Sequence, residues 1–363
     1  MPAGVCAGHR IAAPARTGVS SSATQRHRTP VTRAGLGGTG LTKLIIQIPC
    51  FNEEETLPIT LAELPREVPG FDVVEWLVID DGSTDDTIAV ALANGVDHIV
   101  RMKRNSGLAK VFMAGLDGCL QRGADVIVNT DADNQYCAAD IPALTGPVVA
   151  GRADIVVGAR PINDIAHFSP IKKFLQRLGS WAVRVASKTD IPDAPSGFRA
   201  ISRDAALRLN VLSEYTYTIE TIIQAGRAGM AIESVPIRVN GDLRPSRLVK
   251  SIGSYVRRSL VTIARIFMTY KPLRFFMAPG LVVLTIGFLT GMRFVYYYAI
   301  GEGGGHIQSL ILTAILLLVG VQLALFGLLA ELIGNNRKML EDTQWRIRRL
   351  ELDRPESDAS KVC

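Results

Sequence analysis

From residue 44 to residue 240, short apolar runs alternate with segments whose apolar positions recur every three or four residues. The runs at 44–49 (LIIQIP), 74–80 (VEWLVID), 97–101, 124–130 (ADVIVNT), 153–159 (ADIVVGA) and 230–238 predict strands. Several of them are apolar almost throughout, the signature of parallel strands covered on both faces. The intervening stretches predict helices near 53–64, 84–94, 106–122, 140–150, 170–188 and 214–228. This alternation defines an α/β domain over 44–240 with a mostly parallel, Rossmann-like sheet.

Past residue 240 the pattern changes. Residues 241–275 carry Arg244, Arg247, Lys250, Arg257, Arg258, Arg265, Lys271 and Arg274 against the single acid Asp242, interleaved with Leu, Ile, Val, Tyr and Phe. Such a mixture suits helices lying on an anionic membrane surface. Phe276–Met292 is then free of charge, and Leu310–Ala330 contains only Thr313 and Gln322 as polar residues. About 20 apolar residues cross a bilayer core, so a transmembrane hairpin is expected at about 276–298 and 308–333, within 276–334. A charged cytosolic tail is expected at 335–363. Arg293 and the cluster Tyr296-Tyr297-Tyr298 suit an interface. Basic residues flank both outer ends, Lys271 and Arg274 on one side and Arg337, Lys338, Arg346, Arg348 and Arg349 on the other. The positive-inside rule therefore puts the α/β domain in the cytosol. A bacterial inner membrane is the first expectation, with an organelle or ER membrane as the alternative.

The net charge of +6 is confined to residues 1–43, which hold five Arg, one Lys and no acid. The rest of the chain is neutral, so the basic balance does not indicate a nucleic-acid partner. The leader itself reads as a disordered basic segment, with a transit peptide or an early-assigned start codon as the other readings. Five cysteines scattered without CxxC spacing argue against a disulfide framework or a zinc site.

Candidate chemistry gathers at predicted strand ends, where open α/β sheets bind ligands. Pro49-Cys50-Phe51-Asn52-Glu53 follows the first strand, Asp80-Asp81-Gly82-Ser83 the second, and Asp131-Ala132-Asp133-Asn134-Gln135 the fourth. Two carboxylates one residue apart at the end of an apolar strand are costly unless they meet a cation. A divalent ion bridging a diphosphate suits them, with Mg²⁺ or Mn²⁺ favoured by hard oxygen ligands. Asp80 can accept hydrogen bonds from a nucleobase or ribose. Local structure competes for some of these residues. Ser83 or Thr84 could cap the next helix, and Asn52 with Glu55 has the spacing of a capping box.

In order, PCFNEE, IDDGSTDDT, RNSGLAKVFMAGL, NTDADNQY, VVGAR and SGFRAISRDAA resemble glycosyltransferase family 2. Within that family the resemblance is to the dolichol-phosphate-mannose synthase-like, polyprenyl-phosphate glycosyltransferase group, over roughly residues 44–250. It implies a GT-A fold, a nucleotide-sugar donor (UDP- or GDP-sugar), a divalent metal and inversion at the anomeric carbon. It also implies a polyprenyl or dolichyl phosphate acceptor at the cytosolic face. By motif match, Pro49, Phe51, Glu53, Asp80, Asp81, Asn105, Gly107, Asp131 and Ala132 would bind the donor. Asp131, Asp133 and Gln135 would bind the metal. Arg160, Arg177, Arg244 and Arg247 would serve the phosphates beside Asp133. Phe51 departs from a common Tyr, and Asn134 from a common apolar residue.

A lipid phosphate is already anionic at neutral pH and needs no general base. A saccharide or other hydroxyl acceptor would need one, for which Glu220 is a candidate. The QxxRW motif of processive synthases is absent; Gln344-Trp345-Arg346 is a different pattern. A non-catalytic degenerate scaffold is a further alternative, and the intact Asp-x-Asp weighs against it. A nucleotidyltransferase shares the α/β plan but would show a Gly- and Arg/Lys-rich loop after the first strand. The motifs name no sugar, and they leave room for a homo-oligomer.

Overall fold

The computed structural model describes residues 42–161, 181, 183–187, 189–211, 217–241 and 252–352. Seven strands form one sheet: β1 (Lys43–Cys50), β2 (Val73–Asp80), β3 (His98–Arg101), β4 (Val126–Asn129), β5 (Ile155–Ala159), β6 (Arg199–Ser202) and β7 (Ile232–Pro236). Their order is β3-β2-β1-β4-β6-β5-β7. Among the described strands only β6 runs antiparallel to its neighbours β4 and β5. All six predicted strands are present; β6 was not foreseen. It has four residues, and its first is an arginine, which breaks any apolar pattern.

β1 is central and buried from Leu44 onward. Its side chains alternate between two apolar layers, as the period of a strand requires. Leu44, Ile46 and Ile48 pack against α1 (Leu57–Glu63) and α4 (Ile141–Val149). Ile45 joins Phe112 and Leu116 of α3 (Leu108–Gln121) on the opposite face. The small helix α2 (Thr87–Ala93) follows β2, α5 (Arg203–Arg208) follows β6, and α6 (Thr218–Arg227) precedes β7.

Three further helices complete the described chain: α7 (Ile252–Tyr270), α8 (Pro272–Ala299) and α9 (Ile307–Leu352). In α8 and α9 the usual burial rule is inverted. Small residues face inward: Gly280 and Gly287 on α8 and Thr313, Gly320 and Gly327 on α9 are buried, and a Cβ on Gly280 would lie 3.3 Å from the Gly320 carbonyl oxygen. Large apolar side chains such as Leu281, Phe288, Leu318 and Ile333 are exposed. In water such a surface would be strongly unfavourable; against lipid it costs nothing, and small residues let the helix backbones approach closely. Both helices are long and apolar enough to cross a membrane, with mean hydropathy of 1.9 and 2.5 over their most apolar windows.

A Cβ placed on Gly320 would lie 2.5 Å from Leu284 Cγ and 3.0 Å from the Leu284 backbone nitrogen. Gly320→Val is therefore expected to pry the hairpin apart, costing roughly 1–3 kcal/mol by overpacking. A lowered melting temperature of the detergent-solubilised protein is the readout.

The apolar stretch does not end α9. The helix continues through Leu352, so the described part of the charged tail, residues 335–352, is helical, and it docks on the α/β domain. Trp345 and Leu352 pack against its core. Arg348 donates to the Leu209 carbonyl at 2.8 Å. Arg337 Nη2 donates to Glu220 Oε1 at 2.8 Å, and Arg337 Nε to Glu341 Oε1 at 2.8 Å.

Candidate active site

The turns after β1, β2 and β4 meet on one rim, as their registers require: Cys50 lies opposite Asp80, and Gln47 opposite Asn129. Asn52 adopts φ 54°, a left-handed conformation that Asn tolerates. Its Oδ1 accepts from Thr84 N at 2.9 Å, while its own N–H donates to Ser83 Oγ at 2.9 Å. The expected caps are thus replaced by stitches between the β1 and β2 turns. Helix α1 starts only at Leu57, leaving Glu55 exposed, and α2 starts after Asp86. Glu53 is buried and accepts from Thr56 Oγ1 at 2.6 Å. Pro49 is buried in β1, and Phe51 stands partly exposed at the rim.

Asp80 is fully buried. One oxygen accepts from Ser83 N at 2.9 Å; among the described residues Oδ2 has no hydrogen-bond donor, with Arg101 Nε 3.6 Å away. A buried carboxylate oxygen with an ion-pair neighbour and no hydrogen bond can still accept one from a ligand. Asp81 differs. Its two oxygens accept from Ser106 N at 2.6 Å and Gly107 N at 3.0 Å. It thereby holds the Asn105–Gly107 turn in place, a strapping role that the motif match did not reveal. Gly82 makes this possible: a Cβ there would lie 2.9 Å from the Arg104 backbone, and its φ is 74°.

Behind the Asp-x-Asp pair lies a buried polar network that sequence reasoning missed. Gln47 Nε2 donates to Asn129 Oδ1 at 2.8 Å. Asn129 Nδ2 donates to the Gly197 carbonyl and the Tyr217 hydroxyl, both at 2.9 Å. Gly197 N–H donates to the Tyr136 hydroxyl at 3.0 Å, and that hydroxyl bonds to the Asp131 carboxylate. Tyr217 stacks on Phe112, and Tyr136 on Phe198. The available signal was Gln47 and Asn129 themselves, two amides inside apolar strands, since buried polar groups are retained when paired.

Burial and the neighbouring Asp133 push the Asp131 carboxyl up to about 7, against the opposing pull of Arg160, Tyr136 and Arg199. Two carboxylates this close favour a cation between them. Asp133 Oδ1 accepts from Gln135 N at 3.4 Å. Ala132 is buried, and its carbonyl accepts from Thr60 Oγ1 at 2.9 Å. Among the described residues no third Asp, Glu, His or Cys completes a metal cluster. Two carboxylates with room for phosphate oxygens suit Mg²⁺-type coordination, which draws on substrate for the rest of its shell. Asn134 takes φ 55°, a left-handed conformation that asparagine tolerates, which accounts for an asparagine there, and its backbone carbonyl accepts from Asn240 Nδ2 at 3.1 Å.

Arg160 makes a bidentate pair with buried Asp193, Nε at 2.7 Å and Nη2 at 3.0 Å. It therefore clamps the 193–199 segment to the end of β5 while lending positive potential to Asp131. Arg199 is fully buried and bonds to the Ser196 and Ala194 carbonyls. Arg177, Arg244 and Arg247 lie outside the described residues.

Gly197 leaves no space: a Cβ would sit 2.9 Å from the Tyr217 hydroxyl and 3.1 Å from Asp131 Oδ2. Gly197→Ala is expected to displace Asp131 and lower turnover roughly 10²-fold, the scale of a 1 Å misplacement. Steady-state kinetics beside a near-unchanged circular dichroism spectrum would show it.

A sheet of this order with an acidic pair at its carboxyl edge has the GT-A arrangement. A solved structure with the same fold is glucosyl-3-phosphoglycerate synthase from Mycobacterium tuberculosis, at TM-score 0.50 and 23% identity over 63% of this chain and 79% of that one. The profile of glycosyl transferase family 2 matches residues 45–209. An undecaprenyl-phosphate mannosyltransferase of Micrococcus luteus is 30% identical over 234 residues, 61% of this chain and 93% of the relative. A prophage bactoprenol glucosyl transferase homolog of Escherichia coli is 28% identical over 304 residues, 80% of this chain and 94% of the relative. The chain belongs to glycosyl transferase family 2.

Proposed function

We propose that this glycosyltransferase moves a hexose from a nucleotide-sugar to a polyprenyl or dolichyl phosphate at the cytosolic face of the membrane, with inversion at the anomeric carbon. The observation that carries it is the convergence of Asp80, Asp131 and Asp133 on one rim, beside a domain docked on two apolar helices. The relatives' names supply the acceptor class, and the sugars in those names differ, mannosyl in one and glucosyl in the other.

Asp80 offers its bare oxygen to the nucleoside, and Phe51 supplies a stacking face. Asp131 and Asp133 would hold a divalent cation. Such a cation supplies Lewis-acid neutralisation of the departing diphosphate. The Asn105–Gly107 turn, strapped by Asp81, closes one side of the pocket. A lipid-phosphate oxygen attacks the anomeric carbon as the bond to the nucleoside diphosphate breaks; one such displacement inverts the centre. No base is required, because the nucleophile is already an anion. Glu220, the candidate base for a hydroxyl acceptor, is instead held by Arg337 at 2.8 Å and by the Tyr270 hydroxyl at 3.3 Å. The two helices cross the bilayer, and the basic residues at their outer ends favour the cytosol for the catalytic domain.

The test is a donor screen on detergent-solubilised protein with Mg²⁺ or Mn²⁺, offering labelled UDP- and GDP-sugars with a polyprenyl phosphate. Label entering the organic phase is the expected result. Metal-dependent nucleotide release without labelled lipid would shift the reading to a hydroxyl acceptor.

A further inference from the structure

A cavity of about 300 Å³ opens where the ends of α5, α6 and α7 meet α9. Arg208, Arg227, Lys338, Tyr270, Trp345 and Met230 are among its walls. It lies away from the transfer rim. Met230 precedes β7 and so marks the amino edge of the parallel strands, opposite the acidic rim. Along α6, Arg227 lies ten residues beyond Tyr217, about 15 Å at helical rise.

Its charge is one-sided. Glu341 and Asp342 also line it, but each pairs with an arginine of its own helix, Arg337 and Arg346. Arg208 stacks on Trp345 at 4.7 Å, and Arg227 donates to the Tyr270 carbonyl at 2.8 Å. Arg208, Arg227, Arg337 and Lys338 against Glu341 and Asp342 leave the lining net positive, and among the described residues Arg208, Arg227 and Lys338 form no ion pair. Its level is equally telling. Lys338 comes five residues after Ile333, where the apolar stretch of α9 ends, and Tyr270 comes two before Pro272, where α8 begins. Both apolar helices thus surface at this cavity, at the depth of lipid headgroups. Basic pockets between membrane helices on the cytoplasmic side recognise anionic headgroups, and arginine pairs with phosphate through its planar fork.

We propose that this cavity binds the phosphate of an anionic phospholipid headgroup, at a site separate from sugar transfer. The inference rests on the membrane-spanning reading above. The test is binding of short-chain phosphatidylglycerol to the full chain in a neutral detergent, followed by native mass spectrometry. Short-chain phosphatidylcholine and inorganic phosphate serve as parallel ligands. Saturable binding of phosphatidylglycerol, at least ~10-fold tighter than either comparison ligand, is expected, a difference of about 1.4 kcal/mol. Lys338→Glu and Arg227→Gln should each weaken it at least ~10-fold, and Asp133→Ala should leave it unchanged. Lys338 is exposed, so its reversal tests the site without threatening the fold. Equal affinity for phosphatidylcholine, phosphate binding as tightly as the lipid, or indifference to Lys338→Glu would overturn the proposal. Loss of binding in Asp133→Ala would also overturn it, by placing the lipid at the transfer rim. Because no donor sugar is present, the result stands apart from the donor screen.

Discussion

Asp133→Ala is expected to lower sugar transfer at least ~10³-fold while leaving the fold intact. Asp133 is half-buried at the rim and supports no core packing, so its removal costs little stability. What is lost is charge on the catalytic rim. Electrostatic groups aimed at developing charge carry about 3–4 kcal/mol each when removed, and metal neutralisation of a leaving diphosphate is a larger case of the same effect. Asp131→Asn should match it in turnover, because the amide keeps the shape and loses the anion. Titration of Mg²⁺ or Mn²⁺ against nucleotide binding separates causes: both variants should need far more metal to bind donor. Full activity in Asp133→Ala would remove the acidic pair from the mechanism.

The second large effect lies far from the rim. Arg337→Ala should destabilise the protein by about 2–3 kcal/mol, somewhat below the cost of breaking a fully buried ion pair because Arg337 keeps a quarter of its side-chain surface in solvent. The remaining Glu220 is mostly buried and would keep its anion beside Tyr270. For a domain of this size that corresponds to a melting temperature lower by roughly 4–10 °C. Glu220→Gln combined with Arg337→Met should recover most of the loss, since removing both charges removes the uncompensated one. A double mutant no better than Arg337→Ala would show that the arginine acts through packing alone.

The sheet was legible because its parallel strands are apolar on both faces, and LIIQIP and IVVGA announce themselves. β6 was not, because Arg199 opens it and its burial depends on carbonyls of Ala194 and Ser196 that local pattern does not reveal. The acidic turns were legible as a set, since strand ends in such sheets converge. Their division of labour was not. Asp80 and Asp81 are adjacent and chemically identical, yet one keeps a bare oxygen and the other spends both on the Ser106-Gly107 backbone. Only the path of the neighbouring loop decides that. The docking of residues 335–352 was equally hidden: a run of mixed charges reads only as a charged tail, and its partners lie more than a hundred residues earlier.

The unbroken course of α9 has a geometric consequence. A flexible linker sets only a maximum distance between membrane and domain, whereas a helix also sets azimuth, advancing about 1.5 Å and 100° with each residue. One residue inserted between Gly334 and Arg337 would turn Arg337, Trp345 and Arg348 away from their seats while barely changing the height. Seven residues would nearly restore the angle and raise the domain by about 10 Å. The gap between bilayer and rim can therefore be retuned in this chain only in steps close to whole helical turns, like the notches of a ratchet.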